Sequence, residues 1–195
     1  MNFKELDDLP LYDLYNEFQQ LMNDNKIEWY KYNKIYIKRD QICLNSTTND
    51  PDNIHLGRGS LIWDWDAFET GTDGSMVVKK RNNILKESDF VCLCSSFKGS
   101  LFEDVYSKLE KKYVLGRVRI MKSDPKTCLS WHVDYHPRVH YPMKTQEGCF
   151  MIIEEEVKHL PQHTWWYTNT TAKHTAMNAS KEDRLHLVAT ILGEK

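Results

Sequence analysis

From Gly116 to Leu192 the sequence breaks into short β-forming runs separated by turn residues, with no alternation of strand and helix. Arg117-Val118-Arg119-Ile120-Met121 alternates charge with apolar bulk. Ser123-Asp124-Pro125-Lys126 then turns the chain, and Gly148-Cys149-Phe150-Met151-Ile152-Ile153 and Arg184-Leu185-His186-Leu187-Val188 follow as further strands. Parallel strands need long crossover connections, usually helical, and this stretch has none. The pattern therefore predicts an antiparallel sandwich or jelly roll.

Residues 1–115 read as supporting helices and strands, and 116–192 as the jelly-roll region of a single domain spanning 1–195. Leu11, Leu14, Tyr15, Phe18, Leu21 and Met22 recur every three or four positions, which predicts a helix over Pro10–Asn23 with Pro10 in its first turn. Ser100-Leu101-Phe102-Glu103 is a capping-box pattern opening a second helix that reaches Lys112. Strands are expected at Lys34–Lys38, Leu61–Trp63, Met76–Val78 and Phe90–Cys94, and Trp63-Asp64-Trp65-Asp66 reads as a half-buried strand that packs its Trp side chains.

The formal net charge of −2 offers no electrostatic footprint for nucleic acid. No apolar run approaches the ~20 residues of a membrane span, and the start lacks the basic and apolar segments of a signal peptide. A cytoplasmic protein with no nucleic-acid or membrane partner is expected. Five Cys with no Cys-x-x-Cys pair fit reduced, mostly buried thiols.

The chemistry concentrates in Ser130-Trp131-His132-Val133-Asp134. Side chains alternate on extended backbone, so His132 and Asp134 share a face. A distant His, with His174 the candidate, completes two imidazoles and one carboxylate, the set that leaves open positions on a non-haem Fe(II). His136 competes less well as a ligand because Pro137 bends the chain after it, and His163 is the alternative distal ligand. His186 shares a strand face with Arg184, and Asn178 is either a holder of the active-site loop or a turn residue.

The linked order His132-x-Asp134, Arg138-x-His140, His174 and, ten positions on, Arg184 resembles the aspartyl/asparaginyl β-hydroxylase family of Fe(II)- and 2-oxoglutarate-dependent oxygenases. The resemblance implies a double-stranded β-helix, the jelly-roll or cupin-like barrel, mainly β with flanking helices. It implies Fe(II) on His132, Asp134 and His174, and 2-oxoglutarate as co-substrate with its distal carboxylate on Arg184. Arg138 and His140 are expected near the end that chelates iron. By the same resemblance, O₂ is consumed, succinate and CO₂ are released, and a C–H bond of an amino acid or of an Asp, Asn or Pro residue in a peptide is hydroxylated. A non-redox cupin-like metal enzyme and a binding module on the same barrel are the alternative functions, since fold alone does not settle chemistry.

Overall fold

The computed structural model describes residues 1–31, 40–61, 65–70, 72–80 and 84–195. In chain order its elements are β1 (Phe3–Glu5), α1 (Leu14–Asn23), β2 (Gln41–Cys43), β3 (Asn45–Thr47), β4 (Trp65–Thr70), β5 (Met76–Lys80) and β6 (Phe90–Leu93). Then come α2 (Leu101–Lys112), β7 (Tyr113–Ser123), β8 (Thr127–Cys128), β9 (Arg138–Lys144), β10 (Cys149–Ile153), β11 (Glu156–Lys158), β12 (Trp166–Thr168), β13 (His174–Asn178) and β14 (Arg184–Glu194). The expected strand at Lys34–Lys38 lies outside the described residues, as do Ile62, Trp63 and Asp64.

Two sheets carry the architecture. The larger has the order β1-β12-β9-β14-β7-β2 and the smaller β11-β10-β13-β8, and all their pairings are antiparallel. β3 pairs with β6 and β4 with β5 as separate ribbons. Among the described residues the two main sheets remain distinct rather than closing into one hydrogen-bonded barrel, so the jelly roll takes its two-sheet form.

Alternation along the long strands sorts the larger sheet into two unlike faces. Val118 and Ile120 of β7, Val139, Tyr141 and Met143 of β9, and Leu185, Leu187, Ala189 and Ile191 of β14 join one apolar core with the helices. α1 contributes Leu14, Phe18 and Leu21, and α2 contributes Phe102, Val105, Tyr106 and Leu109, each set spaced to form one helical stripe. The opposite face looks toward the smaller sheet. There only a small apolar cluster, Phe3, Trp166, Met151, Ile153 and Leu160, ties the sheets together. Much of the rest of that buried face is polar and charged, with Arg117, Arg119, His140, His186 and Thr190 among its residues.

α2 begins as the sequence predicts. Ser100 Oγ accepts from the Phe102 amide at 3.2 Å and the Glu103 carboxylate accepts from the Gly99 amide at 2.7 Å. α1 starts four residues later than expected, at Leu14, with Asp13 as its cap. Competition for backbone groups is the cause: the Tyr12 amide donates to Tyr141 Oη at 2.9 Å, Tyr141 Oη donates to the Tyr12 carbonyl at 2.5 Å, and Trp165 Nε1 donates to the Pro10 carbonyl at 2.9 Å. Those bonds hold residues 10–12 on the sheet, and Leu11 is left exposed. The Phe90–Cys94 run is half-buried rather than buried, with Val91 facing solvent.

Candidate metal centre

Residues 129–135 run along the open side of β13 without forming a regular strand. Leu129 N donates to Ala176 O at 3.0 Å, His132 and His174 exchange backbone bonds at 3.0 and 2.9 Å, and Asp134 N donates to Thr170 O at 2.9 Å. The segment keeps the period of two that the spacing predicts. Leu129, Trp131, Val133 and Tyr135 are exposed, while His132 and Asp134 turn inward. His174 opens β13 directly opposite His132, so two side chains forty-two positions apart meet across one bridge.

One ligand atom from each of His132, Asp134 and His174 lies within 4.8 Å of the others. The imidazole centroids are 4.2 Å apart, and His174 Nε2 is 3.4 Å from Asp134 Oδ2. His132 Nδ1 sits 2.7 Å from the Ser130 carbonyl and His174 Nδ1 sits 3.0 Å from the Ala172 carbonyl. A carbonyl only accepts, so in each neutral ring Nδ1 holds the proton and Nε2 keeps its lone pair. Burial pushes the His132 pKa down, which keeps that imidazole neutral. At Asp134 burial alone would raise the pKa, but the neighbouring His174 imidazole and the charge of Arg138 outweigh it and hold the carboxyl at about 2.

Above the triad stands the charged face of the larger sheet. Arg138 Nη2 meets Asp134 Oδ2 at 2.6 Å, an ion pair within one segment. His140 on β9 and His186 on β14 place their Nδ1 atoms 3.4 Å apart with rings nearly perpendicular at 83°. Burial, with Arg138 and Arg184 nearby, pushes both of these imidazoles well below the usual range, so they are neutral. Arg138 Nε, Arg184 Nε, His140 Nε2 and His186 Nε2 are shielded from solvent and have no hydrogen-bond partner. An orphaned buried polar atom costs about 1–3 kcal/mol. Four of them on one wall mark a place shaped for a polar ligand.

The family model described as Aspartyl/Asparaginyl beta-hydroxylase matches residues 12–192. This chain belongs to that family. It is accordingly a hydroxylase of the Fe(II)- and 2-oxoglutarate-dependent kind. The donors present fit both groups: two imidazoles and a carboxylate suit a non-haem Fe(II), and buried cations suit a diacid. Among solved structures, the viral collagen prolyl hydroxylase of Paramecium bursaria Chlorella virus-1, bound to 2-oxoglutarate, is similar over 98% of this chain and 96% of its own, at 10% identity and a TM-score of 0.48. A 2OG-Fe(II) oxygenase family oxidoreductase of Burkholderia pseudomallei matches 46% of this chain and 47% of its own, with 17% identity and a TM-score of 0.37. A cupin domain of Bordetella pertussis matches 38% and 79%, with 19% identity and a TM-score of 0.34. Likenesses this distant carry no argument about activity. The comparison with curated proteins finds no match.

The fold separates the competing His residues. His163, the alternative distal ligand, lies on the helix side of the larger sheet, 3.1 Å from the Tyr12 carbonyl and 3.5 Å from Tyr141 Oη. It cannot reach the triad. His136 is not among the converging ligands. Asn178 combines both readings of it: its Nδ2 donates to the Ser123 and Glu182 carbonyls, and its Oδ1 caps the Ser180 turn that leads into Arg184. Trp165 is absorbed by the helix-side core, whereas Trp166 packs between the sheets.

Sequence reasoning underrated Arg119 and passed over Thr190. Arg119 reads as the polar face of a strand or a cleft wall, yet its side chain is almost fully buried, and Thr190 Oγ1 is a buried orphan on the same face of the sheet. The available signal was the alternation of charge with Val118 and Ile120 on an eleven-residue strand. A strand so long is covered on both faces.

Proposed function

We propose that this protein hydroxylates an unactivated C–H bond of an amino acid, or of an Asp, Asn or Pro residue in a flexible peptide, and releases succinate and CO₂. The observation that carries the reading is the convergence of His132, Asp134 and His174 beneath a wall of unpartnered buried polar atoms. In this reading His132 Nε2, Asp134 and His174 Nε2 hold Fe(II). Arg184 takes the far carboxylate of 2-oxoglutarate, where a guanidinium meets a carboxylate bidentately and stays charged. His140 and His186 are neutral and face each other through Nδ1, so one of the two rings offers an Nε2–H toward the same diacid without adding charge.

Fe(II), 2-oxoglutarate and O₂ together supply the oxidising power, one oxygen atom entering the C–H bond and the other the succinate. The chain's own residues position and insulate. The Ser130 and Ala172 carbonyls fix the imidazole tautomers, Arg138 holds Asp134 ionised, and the two sheets exclude water.

The test measures succinate formed from 2-oxoglutarate with and without Fe(II), alongside gain of one oxygen by mass on free amino acids and short Asp-, Asn- and Pro-containing peptides. Fe(II)-dependent succinate and a modified substrate are expected. Absence of both would return the site to non-redox metal chemistry or plain binding.

A further inference from the structure

Among the described residues, four buried arginines on the inner face of the larger sheet, Arg117, Arg119, Arg138 and Arg184, meet two carboxylates. Glu87 is committed to Arg117: its carboxylate accepts from Arg117 Nε at 3.0 Å, from Nη2 at 2.6 Å and from the backbone amide at 2.9 Å. Asp134 is committed to Arg138. Arg119, 2% exposed, has no acidic partner among the described residues. Burial and the like charges of Arg117 and Arg138 lower its pKa to about 9.

Its few hydrogen bonds do not explain why it is there. Arg119 Nη1 donates to Gln41 Oε1 at 3.0 Å and to the Gly59 carbonyl at 3.2 Å. Both acceptors are already served, Gln41 Oε1 by the Gly59 amide at 2.9 Å and Gly59 O by Arg117 Nη1 at 2.7 Å. Nε and Nη2 of Arg119 have no partner. These two donors form one edge of the guanidinium, the edge with which Arg117 grips Glu87. Thr190 Oγ1 is a further buried orphan on this face, as is Arg138 Nε. Register sets the three on one face of neighbouring strands: Val188 pairs with both Arg119 and His140, and Thr190, two residues on, pairs with Arg138.

The direction matters as well. Arg184 opens β14 and Thr190 lies six residues further along the same face, about 20 Å at the rise of a strand. Arg138, opposite Thr190, touches the metal-site carboxylate. The face therefore has a cationic station at each end. We propose that Arg119, with Thr190 and Arg138 beside it, binds a carboxylate of the prime substrate, so that this hydroxylase selects an acid. The proposal rests on the hydroxylase reading above. It adds that the substrate enters with either an acidic side chain or a free α-carboxylate directed at the Arg119 edge, leaving Arg184 to the co-substrate.

Calorimetric titration of the full chain, loaded with Mn(II) to prevent turnover and run with and without 2-oxoglutarate, tests it. The probes are acetyl-Ala-Asp-Ala-amide, whose one carboxylate is on the side chain, and L-proline, whose one carboxylate is the α-carboxyl, each against its carboxamide counterpart. One acid should bind at least ~10-fold more tightly than its amide, and which one identifies the source of the carboxylate. Arg119→Met should erase that preference, Arg119→Lys should keep part of it, and both should leave 2-oxoglutarate affinity unchanged. The ligand-free Arg119→Met protein should melt no lower than wild type, because a buried unpaired cation is being replaced by apolar bulk. Equal binding of acid and amide, a preference that survives Arg119→Met, or a lowered ligand-free melting temperature would each overturn the assignment. Failure of wild type to bind 2-oxoglutarate would instead count against the hydroxylase reading itself.

Discussion

Asp134→Asn in the metal-free protein separates the structural part of the ligand carboxylate from its chemical part. Its side chain is 17% exposed, sits 2.6 Å from Arg138 Nη2 and is held at a pKa of about 2 against an ordinary 3.8. Since one pKa unit is about 1.4 kcal/mol, the fold favours the ionised form by about 2 kcal/mol after burial has been charged against it. The folded pKa lies below the unfolded one, so this stability is complete above about pH 4 and is lost as pH falls from 3.8 toward 2. Urea denaturation at pH 7 should therefore find the isosteric Asn variant less stable by about 2 kcal/mol, with the gap to wild type closing below about pH 4. In an Arg138→Met background the same substitution should cost much less, because the cation it offsets is gone. An Asn variant as stable as wild type at pH 7, or a gap that ignores pH, would refute the account of His174 and Arg138 as the partners that keep this carboxylate ionised.

Other substitutions read other parts of the site. His132→Ala and His174→Ala should each abolish Fe(II)-dependent succinate formation with little change in denaturation midpoint, whereas His163→Ala should keep turnover; loss of activity in the His163 variant would put the distal ligand elsewhere. Arg184→Met should weaken 2-oxoglutarate binding by about 2–5 kcal/mol, roughly 30-fold at the low end, with Arg184→Lys rescuing in part; calorimetry showing unchanged affinity would remove the co-substrate assignment. Glu87, 16% exposed and brought by hydrogen bonding and charge from Arg117 to a pKa of about 2 despite its burial, should lose about 3 kcal/mol of fold stability on conversion to Gln at pH 7. Its folded pKa is likewise depressed, so the Gln deficit should vanish on acidification from 4.5 toward 2, and a deficit that persists at low pH would contradict the linkage.

Local sequence determined what local geometry can determine. The period of two along an extended segment put His132 and Asp134 on one face and Trp131, Val133 and Tyr135 on the other, even though the segment is held by bridges rather than by a full strand. The Ser100 cap and the apolar stripes of α1 and α2 were legible for the same reason, because they depend on neighbours three or four residues away. Where a distant group competed, local reading failed: Pro10 to Tyr12 look helical, but Tyr141 and Trp165 take their backbone groups.

Only the tertiary structure chose His174 over His163, because the choice turns on which side of the larger sheet each ring falls. It alone set the imidazole tautomers, through carbonyls of Ser130 and Ala172 that no motif encodes. The solitude of Arg119 is the clearest case. Arg117 and Arg119 are the same residue type two positions apart on one face of one strand, and nothing in their local sequence tells them apart. Glu87 reaches the first, and the second lies beside Val188, where the described chain supplies no anion. Whether a buried charge is satisfied depends on the register of strands far apart in sequence, and that register is a property of the assembled sheet.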